Sequence, residues 1–217
     1  MARERKSNPR KMRPLFLVLC EGETEENYVN FLRQNYRLPI KIVPKIIGSK
    51  ITQEIIMRHK KEFDSSETSI KTFLMYDGDL PEVLENLQKC DGILLISKPC
   101  IEIWFIAHYK IPTEADITST NCVKQLKSIK NWENYKKSIL TSVQELDLWN
   151  KRLDAINNME SKSTASKTYS SIFEFIKIFS HQCYDLILGF ISFCVCMYGE
   201  QGFWTNVQGT ADFQKCV

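Results

Sequence analysis

Four short apolar runs, separated by segments of helical spacing, constrain this chain more than any other feature. The runs are Leu15–Cys20, Ile40–Ile47, Thr72–Tyr76 and Gly92–Ser97. Each is strand-sized, rich in Leu, Ile, Val or Phe, and barely alternates between apolar and polar. Strands buried on both faces of a parallel sheet have this pattern. Between them, Thr24–Asn35 places Tyr28, Phe31 and Leu32 at three-to-four spacing, and Thr52–Phe63 does so with Ile55, Ile56 and Phe63. Pro81–Lys89 opens with proline at a first helical turn and carries Val83, Leu84 and Leu87. Pro99–Tyr109 follows the last run with Ile101, Trp104, Phe105 and His108. Alternating strand and helix implies right-handed βαβ units, hence an α/β fold with a parallel sheet of about four strands and flanking helices.

The character changes near residue 110. From Thr118 to Ser180 the chain is polar and mainly helical by pattern, with Trp132, Tyr135, Ile139, Val143, Leu146 and Trp149 at roughly helical intervals. Ser161–Ser166 reads as a loop and Tyr169–Phe179 as a short amphipathic helix. The expected organisation is a basic arm over 1–13, an α/β domain over 14–115, a helical extension over 116–180 and a tail over 181–217. The tail, rich in cysteine and aromatic residues, has neither clean period.

With 43% hydrophobic and 25% charged residues, the chain is ordinary globular material. Its net charge of +3 argues for no partner class, but the charge is unevenly spread. Arg3, Arg5, Lys6, Arg10, Lys11 and Arg13 face only Glu4 at the start of the chain. Such an arm can neutralise phosphates without reading sequence, and it can equally be a solvated terminus. The basic start is not followed by a signal-peptide core. The longest apolar run, near Leu186–Met197, falls short of the ~20 residues that span a bilayer. A cytoplasmic protein without membrane contact is expected, with its eight cysteines as reduced thiols. His181, Cys183, Cys194 and Cys196 are zinc-ligand types, but their spacing is not a standard one.

Ligands of doubly wound sheets bind outside the carboxyl ends of the strands. Acids cluster there. Cys20-Glu21-Gly22-Glu23-Thr24-Glu25-Glu26 follows the first strand, Asp77-Gly78-Asp79 the third, and Ser97-Lys98-Pro99-Cys100-Ile101-Glu102 the fourth. In strand geometry Asp77 and Asp79 point to one side and repel, which a divalent cation relieves. Magnesium suits one or two carboxylates completed by water and substrate phosphate. The bland alternative is an Asp-Gly-Asp surface turn. Thr24 is a helix cap by type, and Glu25 and Glu26 then lie in a first turn where the dipole favours acids. Glu21 precedes that cap, which leaves metal ligation or acid–base work as its role.

The order strand–Glu21–Gly22–helix, then strand–Asp77-Gly78-Asp79, resembles the Toprim domain of topoisomerases, bacterial primases and nucleases of the overcoming-lysogenization-defect type. Cys20-Glu21-Gly22-Glu23-Thr24-Glu25-Glu26-Asn27-Tyr28 is similar to the opening motif of the RloB family, as is Ser97-Lys98-Pro99-Cys100-Ile101-Glu102-Ile103-Trp104 with His108 beyond. The resemblance covers about residues 8–180. It implies a Toprim-like fold in which Glu21 matches the Toprim glutamate, Asp77 and Asp79 the aspartate pair, and Glu25 the second acid of the nuclease-type motif. Glu102 and His108 belong to the third motif. Glu102 is a candidate for a second metal, or a charge near a helix start. His108, on a largely apolar face, is a candidate substrate contact or, more in keeping with that face, a satisfied core histidine.

The resemblance further implies an anti-phage or abortive-infection setting beside an ABC- or AAA-class ATPase. The expected activity is Mg2+- or Mn2+-dependent hydrolysis of nucleic-acid phosphodiesters by Glu21, Asp77, Asp79, Glu25 and Glu102. Lys98 is a candidate for charge stabilisation, or simply a solvated lysine. Arg10, Lys11 and Arg13 are candidates for backbone contact. DNA and RNA, structured RNA such as tRNA included, stay open as substrates. The rival from another class is a non-catalytic docking or regulatory partner of the ATPase. A nucleotide-binding domain ranks last because its Gly-rich phosphate loop is missing. Topoisomerase and primase activity need further domains for which 217 residues leave little room.

Overall fold

The computed structural model describes residues 14–63, 69–114 and 118–180. The basic arm with Arg10, Lys11 and Arg13, and the tail with its Cys/His quartet, lie outside the described residues. The elements run β1 (Leu15–Cys20), α1 (Glu23–Tyr36), β2 (Lys41–Ile46), α2 (Gln53–Lys61), β3 (Ile70–Asp77), α3 (Pro81–Gln88), β4 (Ile93–Lys98), α4 (Glu102–Ala107), α5 (Ser119–Lys127), α6 (Ser142–Asn150), α7 (Arg152–Glu160) and β5 (Tyr169–Ser170). Residues 172–180 are helical as well.

The sheet order is β2-β1-β3-β4-β5. The first four strands are parallel, with Cys20 opposite Ile46 and Met75, and Asp77 opposite Ser97. All six residues of β1, an inner strand, are buried, as its unbroken apolar run demands. Pro44 sits in β2, at the sheet edge, where a missing N–H leaves no ladder bond broken. Each side of the sheet has its own core. Leu15, Leu17, Leu19, Leu74 and Tyr76 meet Ile56 of α2 and Val83 and Leu87 of α3. On the other side Phe16, Val18, Phe73, Met75 and Leu95 meet Tyr28 of α1, Trp104 of α4, and Trp132, Leu148, Met159 and Phe175. The region beyond residue 118 therefore shares a core with the sheet.

Helix starts follow local capping chemistry. Thr52 and Thr118 accept from Ile55 N and Asn121 N at 3.4 and 3.2 Å, and Pro81 occupies the first turn of α3. Thr141 and Gln144 form a reciprocal capping box at α6.

Three expectations are corrected. The helical spacing from Trp132 to Trp149 is not one helix, because α6 begins only at Ser142. Trp132 and Tyr135 instead close successive turns, their amides bonding Ile129 O and Trp132 O at 3.0 and 2.9 Å. Asn131 and Ser138 take left-handed φ values of 75° and 67°, which a helix does not accommodate. Tyr169 and Ser170 do not start a helix but pair antiparallel with Lys98 and Ser97 as β5. Thr24 is not the cap of α1: the cap position is Gly22, and the Thr24 hydroxyl accepts from Ser138 N at 3.1 Å.

The four cysteines described, Cys20, Cys90, Cys100 and Cys122, are free thiols. Among the described residues no helix is long and apolar enough to cross a membrane.

Candidate functional site

Three strand ends deliver the acids. Past Cys20 the backbone stays in register for one more residue, Glu21 N donating to Met75 O at 3.0 Å. This places the Glu21 carboxylate against the end of β3, where Oε2 accepts from Asp77 N at 3.0 Å. One residue on, Gly22 N donates to Glu25 Oε2 at 3.0 Å. The first turn of α1 thereby folds Glu25 back toward the strand end, and Glu25 is buried. Gly22 is extended at φ −145°, so its backbone needs no left-handed conformation.

The Asp77/Asp79 pair is split. β3 ends at Asp77, whose Oδ1 accepts from Ile101 N at 2.9 Å, just before α4. Gly78 N then bonds Ser97 O at 2.7 Å. A Cβ at Gly78 would stand 2.6 Å from Lys98 Cγ and 2.9 Å from Ile96 Cγ2, so only glycine passes this crossing undisturbed. The crossing turns Asp79 outward. It is exposed and accepts from Ser119 Oγ at 3.3 Å. Asp77 faces the other acids and Asp79 stands at the rim, because strand geometry does not persist through Gly78.

Glu102, in the first turn of α4, is 0% exposed. Its Oε1 accepts from the Tyr135 hydroxyl at 3.1 Å and lies 3.7 Å from Lys137 Nζ. Its Oε2 is buried without any partner. Neither Tyr135 nor Lys137 was singled out in the sequence for this site. They come from the turns read there as helix, and the lysine pair after a buried tyrosine is the only local signal they leave.

These groups form one electrostatic unit. Burial first, then the charges of Glu25, Glu102 and Glu21, push the Asp77 carboxyl up to about 9. Burial also raises Glu25, with Glu21 and Glu102 adding to the shift. Glu21 is raised by burial and by Asp79, against the Asp77 amide and Lys137. Burial works against the Lys137 ammonium, but Glu102, Cys100, Asp77 and Glu25 outweigh it and hold Lys137 above the ordinary lysine value. The result is a partly buried nest of acids with one cation at its edge.

A family model described as RloB-like protein matches residues 16–180. The chain belongs to the RloB-like family. In this RloB-like chain the matched stretch runs from β1 through the helical segment 172–180, and so contains every group of the site. Comparison with curated proteins gives no match, and comparison with solved structures gives none.

The remaining predicted residues of the RloB-like chain fall elsewhere. His108 is 1% exposed, with Nδ1 2.9 Å from Trp104 O and its ring 5.0 Å from that of Trp104. Burial pushes it down to about 4. The helix face that carries it turns into the apolar core, where it is a neutral histidine whose Nε2 is buried without a partner. Lys98 Nζ donates to Thr164 O at 3.1 Å, which ties β4 to the loop before β5.

Proposed function

We propose that this RloB-like chain is a Toprim-type, Mg2+- or Mn2+-dependent nuclease, the effector of a prokaryotic anti-phage system that also contains an ABC- or AAA-class ATPase. The observation that carries the reading is the convergence of Glu21, Glu25, Asp77 and Glu102 on the carboxyl ends of β1, β3 and β4, with Asp77 raised to about 9. Carboxyls placed so close resist ionising together, and added positive charge relieves them. Acids crowded in this way cost stability, which points to a duty other than holding the fold together.

The donor set fits a hard cation that keeps most of its water. Glu21, Glu25 and Asp77 each spend one oxygen on a backbone amide, and Glu102 Oε2 has no donor. Among the described residues no group of three or more His, Cys, Asp or Glu side chains is arranged as a metal site. The donors are carboxylate oxygens of the type magnesium takes, one or two of them completed by waters and substrate phosphate. When bound, the cation would offset phosphate charge and make a bound water more acidic.

The chain's own groups do the rest. The Asp77 amide fixes the Glu21 carboxylate, and the Ile101 amide fixes that of Asp77, so both are oriented before substrate arrives. Near neutral pH the raised Asp77 carboxyl carries a proton, which added positive charge beside it would displace. Exposed Asp79 stands at the rim, where it meets solvent and substrate first. DNA and RNA, tRNA included, both remain in scope.

The test is cleavage of plasmid DNA, single-stranded DNA and total tRNA with Mg2+ or Mn2+, by the wild type and by Asp77→Ala/Asp79→Ala. Each is assayed alone and with the ATPase. Metal-dependent cleavage lost in the double variant supports the nuclease and names its substrate. Metal binding without cleavage under any condition would replace it with a regulatory partner of the ATPase.

A further inference from the structure

Lys137 is placed unlike any other cation described here. Its neighbour Ser138 is clamped to α1 from both sides: Ser138 N donates to Thr24 Oγ1 at 3.1 Å, and Asn27 Nδ2 donates to Ser138 O. The backbone under Lys137 is thus fixed to the same helix that carries Glu25. The side chain is not fixed. It is 55% exposed and reaches the acids on a four-carbon stem.

What it reaches is incompletely satisfied. Glu102 is fully buried, one oxygen has no donor, and the other lies 3.7 Å from the ammonium. A charge-assisted N–H···O bond is usually about 2.7–2.9 Å. Lys137 therefore attracts Glu102 without closing a hydrogen bond. Its charge also bears on Asp77 and Glu21, so it serves the whole nest. Leaving a buried carboxylate oxygen unpartnered is costly, and a bound ion is one of the explanations such an atom calls for.

We propose that Lys137 is the resident countercation of the carboxylate nest and gives up its place on Glu102 when the divalent cation enters. The inference rests on the metal-site reading above. Lys137 and the metal offset the same negative charge, so each weakens the other's hold. The long, half-exposed stem lets the ammonium leave while Ser138 stays clamped.

The test is Mn2+ titration calorimetry on the full chain, comparing wild type, Lys137→Met, Lys137→Arg, Lys136→Met and Asp77→Asn. Exchange predicts Mn2+ bound about tenfold tighter by Lys137→Met, because a unit positive charge a few ångströms away is removed. Lys137→Arg and Lys136→Met should stay near wild type. Amine-reactive labelling of wild-type Lys137, read by mass spectrometry, should quicken when Mn2+ is added. Equal or weaker binding by Lys137→Met, with wild type binding and Asp77→Asn not, would overturn the exchange and leave the metal site standing. No Mn2+ binding by wild type would overturn both. If Lys137→Met fails to fold, unchanged labelling of wild-type Lys137 with and without Mn2+ is enough to reject the exchange.

Discussion

The two sides of the sheet are built to different ends. The side covered by α2 and α3 is an aliphatic core of Leu15, Leu17, Leu19, Leu74, Ile56 and Leu87, with Tyr76 as its polar member. The side covered by α1 and α4 is aromatic and threaded with polar groups. Trp104 donates to the Tyr28 hydroxyl at 2.7 Å within it. The buried ionisable groups Glu25, Glu102 and His108 all stand on or directly after α1 and α4. One side holds the domain together by burial alone. The other accepts unfavourable burial of titratable groups within a larger apolar cluster that includes Trp104, Trp132, Phe105 and Phe175.

Substitutions can break this comparison or sharpen it. The largest stability effect belongs to the aliphatic side. Leu17→Ala, at a fully buried position, should cost about 2–5 kcal/mol in urea denaturation, with metal affinity per folded molecule unchanged. A loss of metal affinity without a loss of stability would erase the distinction between the sides.

Next comes the pH response of His108, displaced from 6.5 to about 4. Its folded-state value is the lower one, so below pH 6.5 the unfolded chain takes up a proton that the folded chain refuses. The stabilisation is complete above pH 6.5, falls as pH drops, and levels off near pH 4. Over that window it amounts to about 3 kcal/mol. In denaturation across pH 7 to 4 the wild type should lose about 3 kcal/mol relative to His108→Leu, the raised acids Asp77, Glu25 and Glu21 contributing an opposite slope common to both.

Smaller, and opposite in sign, is Asp77→Asn. The amide oxygen can still accept from Ile101 N, while the cost of keeping a protonated carboxyl among acids is removed. Without metal the variant should be more stable by about 1–2 kcal/mol, as acid-nest variants commonly are, and it should no longer bind Mn2+. A destabilised Asp77→Asn would mean that the nest is structural. The smallest stability change is expected for exposed Asp79→Asn, within about 0.5 kcal/mol, while metal-dependent activity falls sharply. Thermal unfolding and the cleavage assay, run side by side, separate those two effects.

The strands were legible because nonpolar runs need no partner to be recognised. Leu15–Cys20 is a strand to the residue, and the other three differ only at their ends. Glu21, Glu25, Asp77 and Glu102 were legible as candidates because each lies at or just beyond the carboxyl end of a strand, where this architecture places ligands. Three things were not. β5 is two residues long and leaves no periodicity. The Trp132–Tyr135 turns imitate a helix because successive turns also space side chains by three. Asp79 looked like the twin of Asp77 because spacing by two implies a shared face only while the strand continues. Tyr135 and Lys137 meet Glu102 across more than thirty residues of chain, a proximity that local pattern does not encode.

That separation has a consequence for the birth of the molecule. Translation delivers the strand-end acids first and the groups that steady Glu102 last. Every shorter nascent chain holds the acids without Tyr135 and Lys137, and without the layer that buries them. Under the proposed nuclease reading, the site is then incomplete while the chain is still beside the ribosome. The surroundings of Glu102 are completed only once Tyr135 and Lys137 have been added.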